Sequence, residues 1–266
     1  MRPQRSMQHP PEGATTTAMP RFPHRIALWC VGGAVGIFLA ANVTAILGAY
    51  VAGIVTGHIG AVAAGLASSA PPGWLTVGSS IGMWAGFIGG PIALLLALGD
   101  QSPLRSLGLR WRWFDLVGLP IGAAAQFVVG AITVAMFGHR NYSAPLHRWF
   151  DGSSSTTVRV LALCLVIVVP VAEEILFRGL LGQGLLSLAE PRPSRHVSVL
   201  AVGAIVADGV LFAAAHGEPL QFIGLALFGA LQMLLVRQSG RLSMAIASHA
   251  GFNAVALSSV IWRGHL

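Results

Sequence analysis

Residues 26–50 read IALWCVGGAVGIFLAANVTAILGAY, a run of 25 residues without a charged side chain. The uncharged stretch is longer still, because no Asp, Glu, Lys or Arg occurs between Ile26 and Gly99. A helix needs about 20 mostly apolar residues to cross a bilayer. The stretch therefore holds at least two membrane spans, which we place near 26–50 and 74–98. Residues 51–70 form either a third span or an extension of the first.

The composition of the whole chain indicates a membrane protein. Of its 266 residues, 55% are apolar and 9% are charged, whereas an ordinary soluble domain has about 25% charged residues. The mean hydropathy is +0.73. So few charged side chains argue against a soluble enzyme, a disordered chain and a nucleic-acid-binding domain. The net charge of +7 comes from sixteen scattered arginines, as is typical of cytoplasmic loops in membrane proteins.

Five further apolar stretches complete the predicted fold, and they lie at about 116–137, 158–186, 197–215, 220–236 and 242–262. The fold class is therefore all-α, a polytopic transmembrane helical bundle with seven to eight spans. We expect a multi-pass protein of the cell membrane. With seven spans and the basic loops inside, the N-terminus lies in the cytoplasm.

The ionisable groups of the predicted spans are concentrated in the second half of the chain. A charged side chain at the centre of a bilayer costs roughly 2.5–3.5 kcal/mol on insertion scales. Nevertheless, the last four spans contain Glu173, Glu174, Arg178, Asp208, His216 and His249. We therefore expect a polar core over 158–262, a transmembrane scaffold over 26–157 and a disordered cytoplasmic tail over 1–25.

The spacing of these groups places them on defined helix faces. Glu174 and Arg178 are four residues apart, so they share a face and can form an ion pair. Glu173 is rotated from Glu174 by about 100° and points in another direction. Because Arg178 holds Glu174 ionised, Glu174 is expected to fix the helix geometry, and Glu173 remains available for chemistry.

Two later spans present polar groups at the same spacing. Phe212 and His216 are four residues apart, and so are His249 and Asn253. If the three helices converge, they place a carboxylate, two imidazoles and an amide around one water-filled cavity. Such a set suits the hydrolysis of an amide bond.

Each group has a role in that reaction. Glu173 can act as the general base toward a water molecule, and His216 can orient the same water. His249 and Asn253 can donate hydrogen bonds to an oxyanion. Asp208 lies on the side of Phe212 and His216, where it orients His216 or pairs with an arginine.

Three motifs in this region resemble those of a known family. The sequences E-E-I-L-F-R-G at Glu173–Gly179, F-A-A-A-H at Phe212–His216 and H-A-G-F-N at His249–Asn253 are similar, in order and internal spacing, to the motifs of the CPBP family. That family contains the type II CAAX prenyl endopeptidases and bacteriocin-processing or immunity relatives. The resemblance covers about residues 157–260.

The resemblance implies an intramembrane glutamate endopeptidase with a helical-bundle fold. By similarity, Glu173 and His216 would activate water, and His249 and Asn253 would stabilise the oxyanion. Glu174 and Arg178 would support the site by similarity. We count Glu174 among the catalytic residues, and we expect Arg178, Phe212 and Asp208 to support them. Asp208 departs from the pattern, because similar sequences usually carry a small or hydroxyl residue there.

The expected partners are the lipid bilayer and a peptide or membrane-protein substrate, including lipidated, CAAX-like chains. Two His and two Glu could ligate Zn²⁺, but no H-E-x-x-H helix is present, so we expect no metal cofactor. Nucleic acid is not expected as a partner, and the oligomeric state stays open. Two other functions fit the buried polar groups: a non-catalytic immunity or chaperone-like binding protein, and a proton-coupled transporter.

Overall fold

A computed structural model defines the fold over residues 21–68, 71–138, 140, 150, 154–190, 192 and 197–262, with side chains described up to residue 258. Residues 1–20, which form most of the predicted tail, lie outside the described residues. The described segments are helices joined by turns, and no strand occurs in them.

The helices are named in chain order. They are α1 (His24–Val55), α2 (Val62–Leu66), α3 (Gly73–Ala97), α4 (Pro103–Ser106), α5 (Gly118–Phe137), α6 (Ser155–Ala189), α7 (Val199–His216), α8 (Phe222–Ser239) and α9 (Leu242–Trp262). Short 3₁₀ turns precede α2 and α5, at Ile59–Ala61 and Trp113–Val117. Within α6 the stretch Ile175–Gly182 is a π-helix.

The long helices pack as three pairs around α6. Helix α1 lies along α3, α5 lies along α9, and α7 lies along α8. Helix α6 contacts members of all three pairs, and all eight residues of its π-helical stretch are buried. Because α6 contacts every pair and buries this stretch, α6 is the central helix of the bundle.

The predicted spans agree with these helices. Six helices are long and apolar enough to cross a membrane, and α9 adds a shorter apolar segment over Leu242–Ser258. With α9 counted, the described residues contain seven spans, the lower of the two numbers expected. Residues 51–70 add no further span: α1 continues to Val55, and the short α2 then packs near the ends of α1 and α3.

The outer surface of the bundle is apolar. Large apolar side chains of α1, including Leu28, Leu39, Leu47 and Ile54, are each more than half exposed. A soluble monomer rarely exposes a continuous apolar surface of this kind. The chain is therefore a multi-pass membrane protein whose α1 faces lipid.

One end of the bundle, which we call the N-terminal end, is held by an ion-pair cluster. Glu190, just beyond α6, accepts hydrogen bonds from Arg21 Nη2 and Arg237 Nη2, each at 3.0 Å. The backbone N–H of Phe22 donates to Ser187 Oγ at 3.0 Å. These contacts tie the start of α1 and the end of α8 to the end of the central helix.

The α5–α9 pair depends on glycines at the contact. A Cβ atom added at Gly122 would overlap the backbone carbonyl of Ser248, and one added at Gly251 would overlap the carbonyl of Leu119. The two backbones thus touch directly, as small residues allow in membrane helices. Because Ser248 precedes His249, this contact also fixes the position of His249.

We expect Gly122→Ala to destabilise the protein, since the added methyl group forces α5 away from α9. Overpacking of this kind costs typically 1–3 kcal/mol. The matched control is Gly130→Ala on the same helix, where the added Cβ meets no atom within 4 Å. The measurement is the thermal unfolding midpoint of the purified protein in detergent. Equal midpoints for the two variants would show that the helices do not rely on this contact.

Candidate active site

The three motif segments meet at the π-helical stretch of α6. Glu173 and Glu174 are the last residues before it, and Arg178 lies inside it. A π-helix replaces the usual i→i+4 backbone bonds by i→i+5 bonds, and such stretches often occur at functional sites. Across from α6, α7 contributes Phe212 and His216, and α9 contributes His249.

A buried ionic group forms the inner wall of the site. Arg178 Nη1 donates to Glu174 Oε1 at 3.1 Å, and Arg178 Nε lies 3.3 Å from Asp208 Oδ2. All three side chains are completely buried. Asp208 therefore pairs with an arginine, which was one of the two roles expected for it. The two carboxylates offset the charge of Arg178 in a place where an unpaired cation would be costly.

Small and aromatic residues make room for this ionic group. A Cβ added at Gly229 would lie 3.0 Å from Arg178 Nη2, and one added at Gly182 would lie 2.8 Å from Asp208 Oδ1. The guanidinium carbon of Arg178 stands 4.1 Å from the ring centre of Phe212. This cation–π distance gives Phe212 a supporting contact with Arg178.

Glu174 also orients His249. The Nδ1 atom of His249 lies 2.9 Å from Glu174 Oε1, the same oxygen that pairs with Arg178. Because a carboxylate only accepts hydrogen bonds, Nδ1 of His249 carries the proton. In the neutral ring Nε2 is then an acceptor, and it faces Glu173 Oε2 at 3.8 Å.

His216 is oriented in the same way by a backbone group. Its Nδ1 atom donates to the carbonyl oxygen of Phe212 at 2.8 Å, since a carbonyl can only accept. Its Nε2 atom then faces Glu173 Oε2, also at 3.8 Å. Glu173 Oε2 is buried and has no hydrogen-bond partner among the described residues. Three acceptor atoms thus converge on one small region.

Asn253 lies one turn beyond His249 and contacts the central helix. Its Nδ2 atom donates to the backbone carbonyl of Leu165 at 2.8 Å. Leu165 precedes Glu173 by eight residues on α6, and Pro170 lies between them. The structure therefore brings Glu173, Glu174, His216 and His249 together, whereas Asn253 links α9 to α6 beside them.

Two further residues, Phe228 and Gln232, shape the site and lie outside the three sequence motifs. The ring of Phe228 lies 5.4 Å from that of His249 and stacks on Phe252 at 3.9 Å. Gln232 Nε2 donates to the carbonyl of Ala245 at 2.9 Å and joins α8 to α9. Gln232 was detectable as an uncharged polar residue in an apolar span. Phe228 had no such signal, because phenylalanine is ordinary in a membrane helix.

The site opens on the side of His216. The side chain of His216 is 30% exposed, that of Glu173 is 13% exposed and that of His249 is 4% exposed. Exposure thus falls from the end of α7 toward the interior of the bundle. A ligand that reaches Glu173 passes His216 first.

The comparisons with known proteins identify this part of the chain. Residues 155–255 match the family model of the Rce1-like type II CAAX prenyl endopeptidases. No curated protein and no solved structure matches the chain. The matched segment runs from the start of α6 into α9 and includes every motif residue from Glu173 to Asn253. The motif residues thus lie in the part of the chain that matches this family of CAAX-type proteases, which confirms the resemblance to the CPBP family that the motifs predicted.

Proposed function

We propose that the protein is an intramembrane endopeptidase of the cell membrane that hydrolyses peptide bonds in membrane-associated or lipidated, CAAX-like substrates. The observation that carries this proposal is the convergence of Glu173 Oε2 with Nε2 of His216 and Nε2 of His249, each at 3.8 Å. The family match of residues 155–255 supports the same class of activity.

The three converging atoms suit a water molecule because all of them accept hydrogen bonds. Glu173 Oε2 and the two Nε2 atoms of the neutral rings are all acceptors, because both Nδ1 protons are already donated elsewhere. Polar atoms 3.8 Å apart are too distant for a direct hydrogen bond but can share a bridging water. A water that donates one proton to Glu173 and the other to His216 is held with its lone pairs free for attack.

In the proposed reaction the water oxygen attacks the carbonyl carbon of the scissile bond, and Glu173 takes one of the water protons. The electron pair of the carbonyl double bond moves to its oxygen and gives a tetrahedral oxyanion. When the carbon–nitrogen bond breaks, Glu173 returns the proton to the leaving nitrogen. One carboxylate thus acts first as base and then as acid.

The oxyanion needs donors, and His249 is suited to the task when it is protonated. In the resting site its Nδ1–H is directed at Glu174, and once Nε2 has taken up a proton, the new Nε2–H points toward Glu173 and the reacting carbonyl. We propose Asn253 as a second donor through the N–H that does not bind the Leu165 carbonyl. Preorganised donors of this kind stabilise developing charge without reorganisation.

The remaining motif residues hold these groups in place. Arg178 is the counter-ion of Glu174, and Asp208 lies 3.3 Å from Nε of the same arginine. Both contacts are completely buried. Moving Glu174 or Asp208 away would therefore leave Arg178 with one carboxyl group fewer inside the bundle. We propose that this ionic group, and not a metal ion, fixes the imidazole of His249.

The distribution of arginines supports the proposed orientation in the membrane. Among the described residues, the N-terminal end of the bundle carries Arg21, Arg25, Arg105, Arg110, Arg112, Arg192, Arg237 and Arg241, and the opposite end carries Arg140 and Arg159. Basic residues are retained on the cytoplasmic side. We therefore propose that the N-terminal end faces the cytoplasm.

We expect Glu173→Gln to abolish peptide cleavage, because an amide cannot accept the proton of the water. The rate should fall by about 10²–10⁴, the usual contribution of a general base. The measurement is cleavage of a farnesylated peptide with a C-terminal CAAX sequence by the protein in proteoliposomes. The control is Asp100→Asn, which keeps an oxygen to accept the Ser102 N–H and should cleave at the wild-type rate.

The same variant separates the proposal from its two alternatives. If wild-type protein cleaves no membrane peptide and Glu173→Gln leaves the cellular phenotype unchanged, the protein is a binding or immunity protein. If wild-type proteoliposomes carry a proton flux that Glu173→Gln removes, the site belongs to a transporter. Either result would overturn the peptidase proposal.

A second variant tests the orienting carboxylate. Glu174→Gln keeps an oxygen that can accept from His249 Nδ1, but it replaces a hydrogen bond to a charged group by a neutral one. Arg178 keeps Asp208 as its counter-ion, so the bundle should remain folded. A hydrogen bond to a charged group is worth about 1–2 kcal/mol more than a neutral one, so kcat should fall about tenfold. An unchanged kcat with a raised KM would mean that Glu174 acts in binding alone.

A third experiment tests metal independence. Among the residues that the structure describes, no three His, Cys, Asp or Glu side chains form a group that could hold a metal ion. We therefore expect dialysis of the active protein against a chelator to leave the cleavage rate unchanged. A lost rate that returns on addition of Zn²⁺ would show that the water is activated by a metal.

A further inference from the structure

A basic and aromatic segment precedes α5 at the N-terminal end of the bundle. Residues 110–114 read RWRWF, and all five are exposed. Trp113 is 82% exposed and Trp111 is 57% exposed. Tryptophan and arginine are enriched where membrane helices meet the headgroup layer. The segment therefore has the composition of a chain that lies at the surface of a bilayer.

A cavity lies directly beside this segment. Its volume is about 350 Å³, and it is lined by Arg112, Phe114, Leu235, Gln238, Ser239, Arg241 and Met244. The first two residues belong to the basic and aromatic segment. The others belong to the end of α8, the turn that follows it and the start of α9. The lining thus combines two guanidinium groups and two polar side chains with three apolar ones.

The two arginines of the cavity differ in their charge partners. Arg241 is bound to the fully buried Asp115, with Nε at 3.0 Å and Nη2 at 2.7 Å from Asp115 Oδ1. The other oxygen of Asp115 accepts from the Arg112 backbone N–H at 2.8 Å and from Ser243 Oγ at 2.6 Å. Within the described part of the chain, no carboxylate pairs with the Arg112 side chain. The cavity therefore carries one uncompensated positive charge.

Phe114 keeps the two guanidinium groups close to each other. The ring centre of Phe114 is 5.7 Å from the guanidinium carbon of Arg112 and 4.8 Å from that of Arg241. Two like charges around one ring repel each other, and a counter-ion beside each of them offsets that repulsion. Asp115 supplies one counter-ion, and an anion from outside the chain can supply the other.

We propose that this cavity binds a phospholipid with an anionic headgroup. The headgroup phosphate pairs with Arg112, Gln238 and Ser239 offer polar contacts to the rest of the headgroup, and an acyl chain lies along Leu235 and Met244. Basic pockets between membrane helices on the cytoplasmic side bind anionic lipids in this way. The proposal stands apart from the proposed peptidase activity, because the cavity contains none of the residues assigned to catalysis.

The test measures lipid binding to the full chain, purified and delipidated in detergent. The protein is titrated with phosphatidylglycerol and with phosphatidylcholine of the same acyl chains, and bound lipid is counted by native mass spectrometry. The wild type should prefer phosphatidylglycerol. Arg112→Gln should weaken its binding about five-fold, the effect of one basic residue near an anionic lipid surface. Arg112→Lys, which keeps the charge, should retain most of the binding.

The matched control is Arg25→Gln, which removes an exposed arginine from the same end of the bundle and should leave lipid binding unchanged. Equal losses for Arg25→Gln and Arg112→Gln would mean general attraction to surface charge and would overturn the proposal. Equal affinities for the two lipids would do the same. If inorganic phosphate alone displaces phosphatidylglycerol at an equal concentration, the site takes free phosphate and the lipid assignment is wrong.

Discussion

The rest of the structure depends on the requirement that every charge inside the bilayer has a partner inside the protein. Arg178 is completely buried in the central helix, where an unpaired guanidinium would be very costly. Glu174 pairs with Nη1 of Arg178, and Asp208 lies beside Nε of the same side chain. Glu174 also holds the ring of His249 through a hydrogen bond. One ionic group therefore joins α6, α7 and α9 and determines where the neighbouring Glu173 can point.

Packing makes this ionic group possible. Arg178 needs space that Gly229 provides, and Asp208 lies against Gly182. The direct backbone contact of α5 with α9 holds His249 from the far side, while Phe228 packs against its ring. The polar site is thus the result of close helix contacts on all sides, and small residues at those contacts are as necessary as the ionisable ones.

The sequence predicts the helices well because their cause is local. Long uncharged stretches can only be membrane spans, and the i,i+4 spacing of Glu174 and Arg178 places the two side chains on one helix face. For Asp208 the sequence leaves two roles open, orienting His216 or pairing with an arginine, because helix periodicity does not show which residue of another helix lies near it. The contact of Asn253 with the Leu165 carbonyl was not foreseen, because it depends on how α9 crosses α6. The π-helical stretch is a property of tertiary packing and has no signature in composition.

The convergence of three acceptor atoms at Glu173 also defines what a small-molecule inhibitor of this protein must look like. Carbonyl and ether oxygens are acceptors, like the three atoms of the site. A compound that presents only such oxygens to this region would therefore gain no hydrogen bond there. A compound with a primary amine, a hydroxamic acid or a gem-diol offers donors that Glu173, His216 and His249 can all use. Because His216 is the most exposed of the three side chains, such a donor group meets His216 before it meets Glu173 and His249.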